Sequence, residues 1–185
     1  MSTSSTTKGR EEDQLAALLE QRRDADQGIL EVEAATVKLV IFAIDESLFA
    51  FSGANVAEIL PLTTIHFVPG CPPSLEGVIN VRGDITSVIR LGDLLGRPHA
   101  PDSRRAAILL GQSRAEDDEA PMRSGLRVDR VEDVLDIPEA SIRPPTDTLP
   151  EQLRGLATGL FQYRGEVVIA LDLERLFHDY RGALR

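Results

Sequence analysis

From Thr36 onward, hydrophobic residues occur in short runs or in alternation with polar residues, and turn residues separate the runs. This pattern predicts strands, because strand side chains alternate between two faces. Many short strands at close spacing favour a barrel or a sandwich over a sheet with crossover helices. The predicted strands are Lys38–Ile44, Leu48–Phe51, Val78–Val81, Ile85–Ile89, Ala106–Leu110, Leu126–Val131, Gly159–Tyr163 and Glu166–Leu171.

Three short polar segments lie between consecutive predicted strands and have the composition of tight hairpin turns. They are 45–47 (Asp-Glu-Ser), 82–84 (Arg-Gly-Asp) and 164–166 (Arg-Gly-Glu). Glycine in the last two supplies the positive φ that a two-residue hairpin turn needs. These strands are therefore predicted to pair as antiparallel hairpins.

The second of these hairpins recurs later in the chain. The segment that begins at Gly77 matches the segment that begins at Gly159, without a gap, at an offset of 82 residues. Such self-similarity predicts a duplicated structural unit, and two similar lobes create a groove between them. The matched positions include Asn80 with Gln162, Arg82 with Arg164, Gly83 with Gly165, Asp84 with Glu166, the segment 56–60 with 131–135, and 65–69 with 142–145.

Helical patterns are confined to the ends and to short connections. Residues 1–35 are predicted to form a polar tail with an amphipathic helix from Glu11 to about Gln27, which either docks on the body or a partner or is a frayed polar helix. A short C-terminal helix is predicted over 173–184. Shorter helical turns are predicted after Asn55, at Asp93–Leu95 and at Glu151–Gly155.

Composition limits the class of protein. The chain has 185 residues, and its hydrophobic fraction of 42% is enough to form a core. Its net charge of −10 repels nucleic-acid phosphates. With no Trp and only two Tyr, a nucleic-acid-binding barrel is the weakest alternative. One cysteine, no apparent secretory signal and no apolar run long enough to cross a bilayer predict a cytoplasmic protein without membrane insertion.

Residues for catalysis or metal binding do not form recognisable patterns. The three histidines and Cys71 lack the local partners that zinc motifs need, so no metal site and no cofactor is predicted. Nucleophile elbows, phosphate loops and dinucleotide fingerprints are missing too. An enzyme is therefore not predicted, and surface recognition remains.

The predicted turn at Arg82 is the main candidate for recognition. Arginine at a rigid turn offers a fixed fork of donors suited to a carboxylate or to backbone carbonyls of a partner. Two plain alternatives stay open: Arg82-Gly83 as soluble turn chemistry, and Glu58 as an ordinary solvated acid.

Several motifs resemble those of the CheW-like chemotaxis coupling proteins. They are Gly77-Val-Ile-Asn-Val-Arg-Gly83 with Val88-Ile-x-Leu91, Val56-x-Glu58-Ile59, and 125–131 followed by Ile142-Arg-Pro144. The likeness covers the chain from about Thr36 to the C-terminus. It implies an all-β fold of two side-by-side, SH3-like, five-stranded barrels, and we assign the first to about 36–100 and the second to about 104–172.

By this resemblance, the protein is a non-catalytic adaptor recruited to membrane-associated receptor arrays. It would bind the cytoplasmic tip of a chemoreceptor (a methyl-accepting chemotaxis protein) in the groove between the barrels, and the regulatory domain of a CheA-type histidine kinase. The groove residues carried over are Val56, Glu58, Asn80, Arg82 and Gly83, with Gly125 on the far wall. A kinase contact at the barrel ends would include Ala106 and Ala107.

The chain departs from the family pattern at Arg90, where an acid is usual, and this puts the local pairing at that edge in doubt. The N-terminal extension and the acidic loop at 113–124 are additions, which suggests a specialised receptor or kinase. One functional alternative remains open, a small-molecule sensor that uses the groove between the lobes.

Overall fold

In a computed structural model, the described residues form ten strands and three short helices. The structure describes residues 35–97, 103–114 and 121–184, and it forms one compact unit from Ala35 onward. The predicted helix at 11–27 and much of the acidic loop lie outside the described residues.

The strands form two five-stranded sheets. Their bounds are β1 Thr36–Ile44, β2 Ser47–Ser52, β3 Val56–Pro61, β4 Leu75–Val81, β5 Asp84–Arg90, β6 Ala107–Gln112, β7 Arg123–Val128, β8 Arg130–Pro138, β9 Ala157–Tyr163 and β10 Glu166–Leu171. The helices are α1 Leu91–Leu94, α2 Glu151–Arg154 and α3 Leu173–Ala183. Sheet A has the order β8-β1-β2-β10-β9 and sheet B the order β3-β6-β7-β5-β4. The prediction of two SH3-like five-stranded units and a C-terminal helix is confirmed.

The sheet order corrects the predicted division of the barrels along the chain. Sheet A contains the hairpin β1–β2 from the first half together with β8, β9 and β10 from the second. Sheet B contains the hairpin β6–β7 from the second half together with β3, β4 and β5 from the first. The leading hairpin of each half is thus exchanged, and the barrels do not correspond to 36–100 and 104–172.

Two strands were absent from the predicted set. The segment that begins at Val56 is predicted as a helical turn, but it forms β3 after a single 3-10 turn at Gly53–Asn55. The other omission, β8, follows β7 almost directly. Both strands carry acids at half-buried positions, such as Glu58 and Glu132, which interrupts the alternation of buried apolar and exposed polar residues.

Three hydrophobic clusters hold the sheets together. One contains only sheet A residues, such as Ile41 and Phe161, and a second contains only sheet B residues, such as Ile79 and Ile108. The largest contains Phe42 of sheet A, Leu109 of sheet B and residues of all three helices. Strands such as β1 and β6 are therefore buried on both faces, which explains their uninterrupted apolar runs.

The internal repeat is visible in how each sheet closes. His66 forms an isolated bridge to Val78, and Arg143 forms the equivalent bridge to Leu160, each with a reciprocal pair of backbone hydrogen bonds of 2.8–2.9 Å. A Cβ on Gly77 would lie 2.3 Å from the His66 carbonyl oxygen. The close approach of the two backbones therefore requires glycine at this position.

Candidate protein-interaction site

The turn between β4 and β5 is held in one conformation. Arg82 has φ of 55° and Gly83 has φ of 100°, so both central residues adopt the positive values of a tight hairpin turn. The Gly83 N–H donates to Asn80 Oδ1 at 2.8 Å, which adds a side-chain bond across the turn. An arginine at positive φ is uncommon, and here the hairpin register imposes it.

Arg82 is paired with an acid on β3, at the opposite edge of the same sheet from β4. Its Nη2 donates to Glu58 Oε1 at 2.7 Å, while the Arg82 side chain remains 79% exposed and that of Glu58 only 27% exposed. An exposed ion pair of this kind contributes about 0–1 kcal/mol to stability. Its main consequence is geometric, because Glu58 fixes the direction of a guanidinium whose other donors face solvent.

Large apolar side chains lie next to this charged pair in the chain and in the sheet register. Ile59, which follows Glu58, is 38% exposed, and Ile85, the register partner of Asn80, is 70% exposed. Phe67, which follows the bridging His66, is 76% exposed. Exposed apolar groups beside fixed polar groups are typical of protein-interaction surfaces.

Four of the predicted groove residues contact one another in the structure, and Val56 and Gly125 lie apart from them. Asn80, Arg82 and Gly83 form the turn, and Glu58 contacts it. Val56 lies two residues before Glu58 on β3 and packs against the largest core cluster.

Gly125 has a different position from the one that the resemblance implies. It is buried in β7, in the same sheet as Asn80 and Arg82, so it does not form a wall on the other barrel. A Cβ there would lie 2.7 Å from Ile108 Cγ2, so close packing within the sheet accounts for the glycine. Ala106 and Ala107 are buried too, each 7% exposed, and Ala107 belongs to the largest core cluster.

A packed core joins the two sheets. The largest core cluster contains residues of both, with Phe42, Phe49 and Leu126 each fully buried there. The receptor-binding groove at the surface of this junction stays a prediction.

The second hairpin reproduces the first with different chemistry. Arg164 has φ of 50°, and its Nη2 lies 3.6 Å from Asp133 Oδ2, as Arg82 lies against Glu58. Tyr163 adds a hydroxyl that donates to Asp133 Oδ2 at 2.9 Å, and the Arg164 guanidinium lies 4.9 Å from its ring centroid. Burial and this hydrogen bond to Asp133 raise the pKa of Tyr163 above its usual value of 10.0.

The sequence interpretation did not single out Asp133, Tyr163 or Arg164 as a site. A signal was present, since the repeat pairs Arg82 with Arg164 and Glu58 with Asp133. Tyr163 has no counterpart of the same kind, because Val81 occupies that position in the first hairpin.

Within residues 35–97, 103–114 and 121–184, no group of three or more His, Cys, Asp or Glu side chains is arranged to hold a metal ion. The helices described there include none that is long and apolar enough to span a bilayer.

Two SH3-like sheets around a shared core, with exposed charged turns, define a β-structured protein-interaction module. Residues 38–181 match the CheW-like domain, and because this match covers most of the chain, the protein belongs to the CheW-like domain family. The resemblance seen in the sequence is thereby confirmed.

Relatives and a solved structure agree with this assignment. The probable chemotaxis protein CheW of Rhizobium etli and the chemotaxis protein CheW of Thermotoga maritima are each 29% identical over 142 residues, which is 77% of this chain and 88% of theirs. The scaffolding protein TtCheW from Thermoanaerobacter tengcongensis superposes with a TM-score of 0.66 at 28% identity, covering 77% of this chain and 88% of that one. These descriptions support a role as an adaptor in chemotaxis.

Proposed function

We propose that this protein is a non-catalytic coupling adaptor that binds the cytoplasmic tip of a chemoreceptor and the regulatory domain of a CheA-type histidine kinase. Its two weak interfaces on one rigid body would raise the effective concentration of kinase at the receptor. The adaptor acts in the cytoplasm and is recruited to receptor arrays through the receptor contact.

The receptor contact is assigned to the turn that carries Asn80, Arg82 and Gly83, together with Glu58 and Val56 on β3. The observation that supports this assignment is the Arg82–Glu58 pair, 2.7 Å apart, beside the exposed Ile59 and Ile85. Apolar contact supplies affinity, and the fixed guanidinium supplies orientation and a preference for acidic or carbonyl-rich helix surfaces.

The kinase contact is assigned to a barrel end near Ala106 and Ala107. Both side chains are buried, so the contact at this end would be made by the surrounding surface and not by the alanine methyl groups. Gly125 is proposed to act by close packing of β7 under the hairpin, since its position is buried.

A binding experiment with two partners and two matched variants tests the proposal. The full-length protein is mixed with the cytoplasmic signalling fragment of a chemoreceptor from the same organism, and separately with the kinase regulatory domain. Arg82→Glu should abolish receptor capture and keep kinase capture. Arg164→Glu, at the same turn position of the other sheet, should keep both.

The outcomes separate the alternatives. Receptor capture by Arg82→Glu at the wild-type level would show that this turn is not the contact. Equal loss with Arg164→Glu would assign the effect to net charge, which both substitutions make more negative by the same amount.

A further inference from the structure

A three-residue ion cluster lies at the base of the β4–β5 hairpin, at the opposite end from the Arg82 turn. Arg90 on β5 and Arg127 on β7 are register partners in the parallel pair, so two cationic side chains lie on adjacent strands. Glu76 on β4 is the counterion of both: its Oε1 accepts from Arg127 Nη1, and its Oε2 lies 3.7 Å from Arg90 Nε. The cluster therefore connects three strands of sheet B.

Glu76 is aimed at these arginines by a β-bulge. Leu75 pairs with Ile89 and Gly77 pairs with Val88, so Glu76 is the extra residue between them. A bulge turns its side chain out of the regular alternation and is a recurrent device for redirecting a functional group. The Glu76 side chain is 13% exposed and that of Arg127 8% exposed, so this pair is largely removed from water.

The second hairpin has the same bulge but none of these charges. Ala157 pairs with Leu171 and Gly159 pairs with Ala170, which leaves Thr158 as the extra residue. Thr158 bonds only locally, through Oγ1 to the Ala170 carbonyl at 3.3 Å. The bulge belongs to the repeated fold, and the ion cluster is specific to the first hairpin.

The same comparison explains the unusual base at position 90. In the second half, Asp172 begins α3 and its Oδ1 accepts from the Arg175 N–H at 3.0 Å, as a helix N-cap. The equivalent residue before α1 is Arg90, which makes no side-chain cap bond. The first half lacks this cap and has instead an ion pair between Arg90 and Glu76.

We propose that Glu76 is a positioning residue: with Arg90 and Arg127 it anchors the base of the β4–β5 hairpin on β7 and so sets the direction in which the tip presents Asn80 and Arg82. The proposal rests on the proposed function, because only a tip that contacts a partner needs a fixed direction. A hairpin whose base is joined to β7 by a largely buried ion pair keeps its angle relative to the body, since removal of Glu76 removes the carboxylate that faces both arginines.

The test measures orientation, binding and stability in the full-length protein. Residual dipolar couplings of the backbone amides of 80–87, relative to those of β6 and β7, report the direction of the tip. Glu76→Gln should shift the tip couplings, leave the β6 couplings in place, and weaken binding to the receptor signalling fragment by about tenfold, the loss expected when the redirected Arg82 no longer makes one charge-assisted hydrogen bond to the receptor. Thr158→Ala, at the matching bulge, should leave the tip couplings and receptor binding at wild-type values.

A conservative variant distinguishes positioning from general stability. Glu76→Asp keeps a carboxylate between the two arginines and should give tip couplings and receptor binding closer to wild type than those of Glu76→Gln. Unchanged tip couplings in Glu76→Gln, with or without a lower melting temperature, would overturn the proposal, and so would tip couplings in Glu76→Asp that shift as far as those in Glu76→Gln. Shifted couplings with wild-type receptor binding would uphold the positioning role and instead overturn the proposed receptor contact.

Discussion

Arg82 and Arg164 occupy equivalent positions in two hairpins, with φ of 55° and 50°, and each guanidinium approaches a carboxylate on the strand at the opposite edge of its own sheet. The Arg82 pair is closer, at 2.7 Å against 3.6 Å for Arg164 and Asp133, and Tyr163 contacts the second carboxylate as well. The duplication has therefore preserved the backbone of a turn while its side-chain chemistry has diverged.

Replacing Gly83 tests whether the turn needs its positive φ. Gly83→Ala should lower the free energy of unfolding by about 1–2 kcal/mol, because the alanine Cβ is strained at φ of 100° although nothing lies within 4 Å of it. Gly155→Ala is the matched control, since Gly155 has φ of −74° and open space around it. Urea unfolding followed by circular dichroism measures both, and equal effects would contradict the assignment of strain to Gly83.

Adding a methyl group at Gly159 tests the closure of sheet A. The new Cβ would lie 2.3 Å from Ile142 Cγ2 and 3.1 Å from the Arg143 carbonyl oxygen, so we expect Gly159→Ala to cost about 1–3 kcal/mol through overpacking. Gly182→Ala in α3 meets open space and should be neutral or stabilising by up to about 1 kcal/mol. The melting temperatures of the two variants measure this difference. A Gly159→Ala protein as stable as wild type would show that the backbone at the bridge between Arg143 and Leu160 shifts at little energetic cost.

Substitutions at a buried and at an exposed phenylalanine, Phe42 and Phe67, should have very different effects on stability. Phe42 is fully buried between the sheets, with its ring centroid 4.9 Å from that of Phe51 and 6.1 Å from that of Phe49. Phe42→Ala should lower the free energy of unfolding by about 3–5 kcal/mol. Phe67→Ala, at a side chain 76% exposed, should change it by no more than about 0.5 kcal/mol. Denaturant midpoints at equal slope test both expectations, and a large loss with Phe67→Ala would place that ring in a contact of the folded state.

We expect the contribution of Tyr163 to the free energy of unfolding to be lost at alkaline pH. Burial, followed by the hydrogen bond to Asp133, raises the pKa of Tyr163 above 10.0, so the folded state holds its phenolic proton more tightly than the unfolded state. Its contribution to stability is complete below pH 10 and is lost as the pH rises through the folded pKa. Spectrophotometric titration of the wild type, compared with that of Tyr163→Phe, identifies the Tyr163 transition, which should lie above pH 10.0. Asp133→Asn should lower the Tyr163 pKa, and an unchanged titration would show that the hydrogen bond has no part in it.

The local structure could be predicted because it depends on near neighbours in the chain. The hairpin at Arg82-Gly83, its copy at Arg164-Gly165 and the helix after Asp172 all follow from short-range rules of turns, alternation and capping. Strands β3 and β8 escaped prediction because acids at half-buried strand positions, such as Glu58 and Asp133, produce a pattern that a helical turn can also have.

The sequence alone determined that this protein has two copies of a β-unit, with an arginine at the turn of the second hairpin of each copy. Only the tertiary structure decided which hairpin belongs to which sheet, because β1–β2 and β6–β7 are locally alike and either exchange or separation would satisfy the same alternation. It also decided that Gly125 is buried and that Glu76 meets Arg90 and Arg127. Gly125 and its register partner Val88 lie 35 or more positions apart in the chain, and so do Glu76 and Arg127. Long-range contacts depend on how the shared core packs, and no local pattern records that packing.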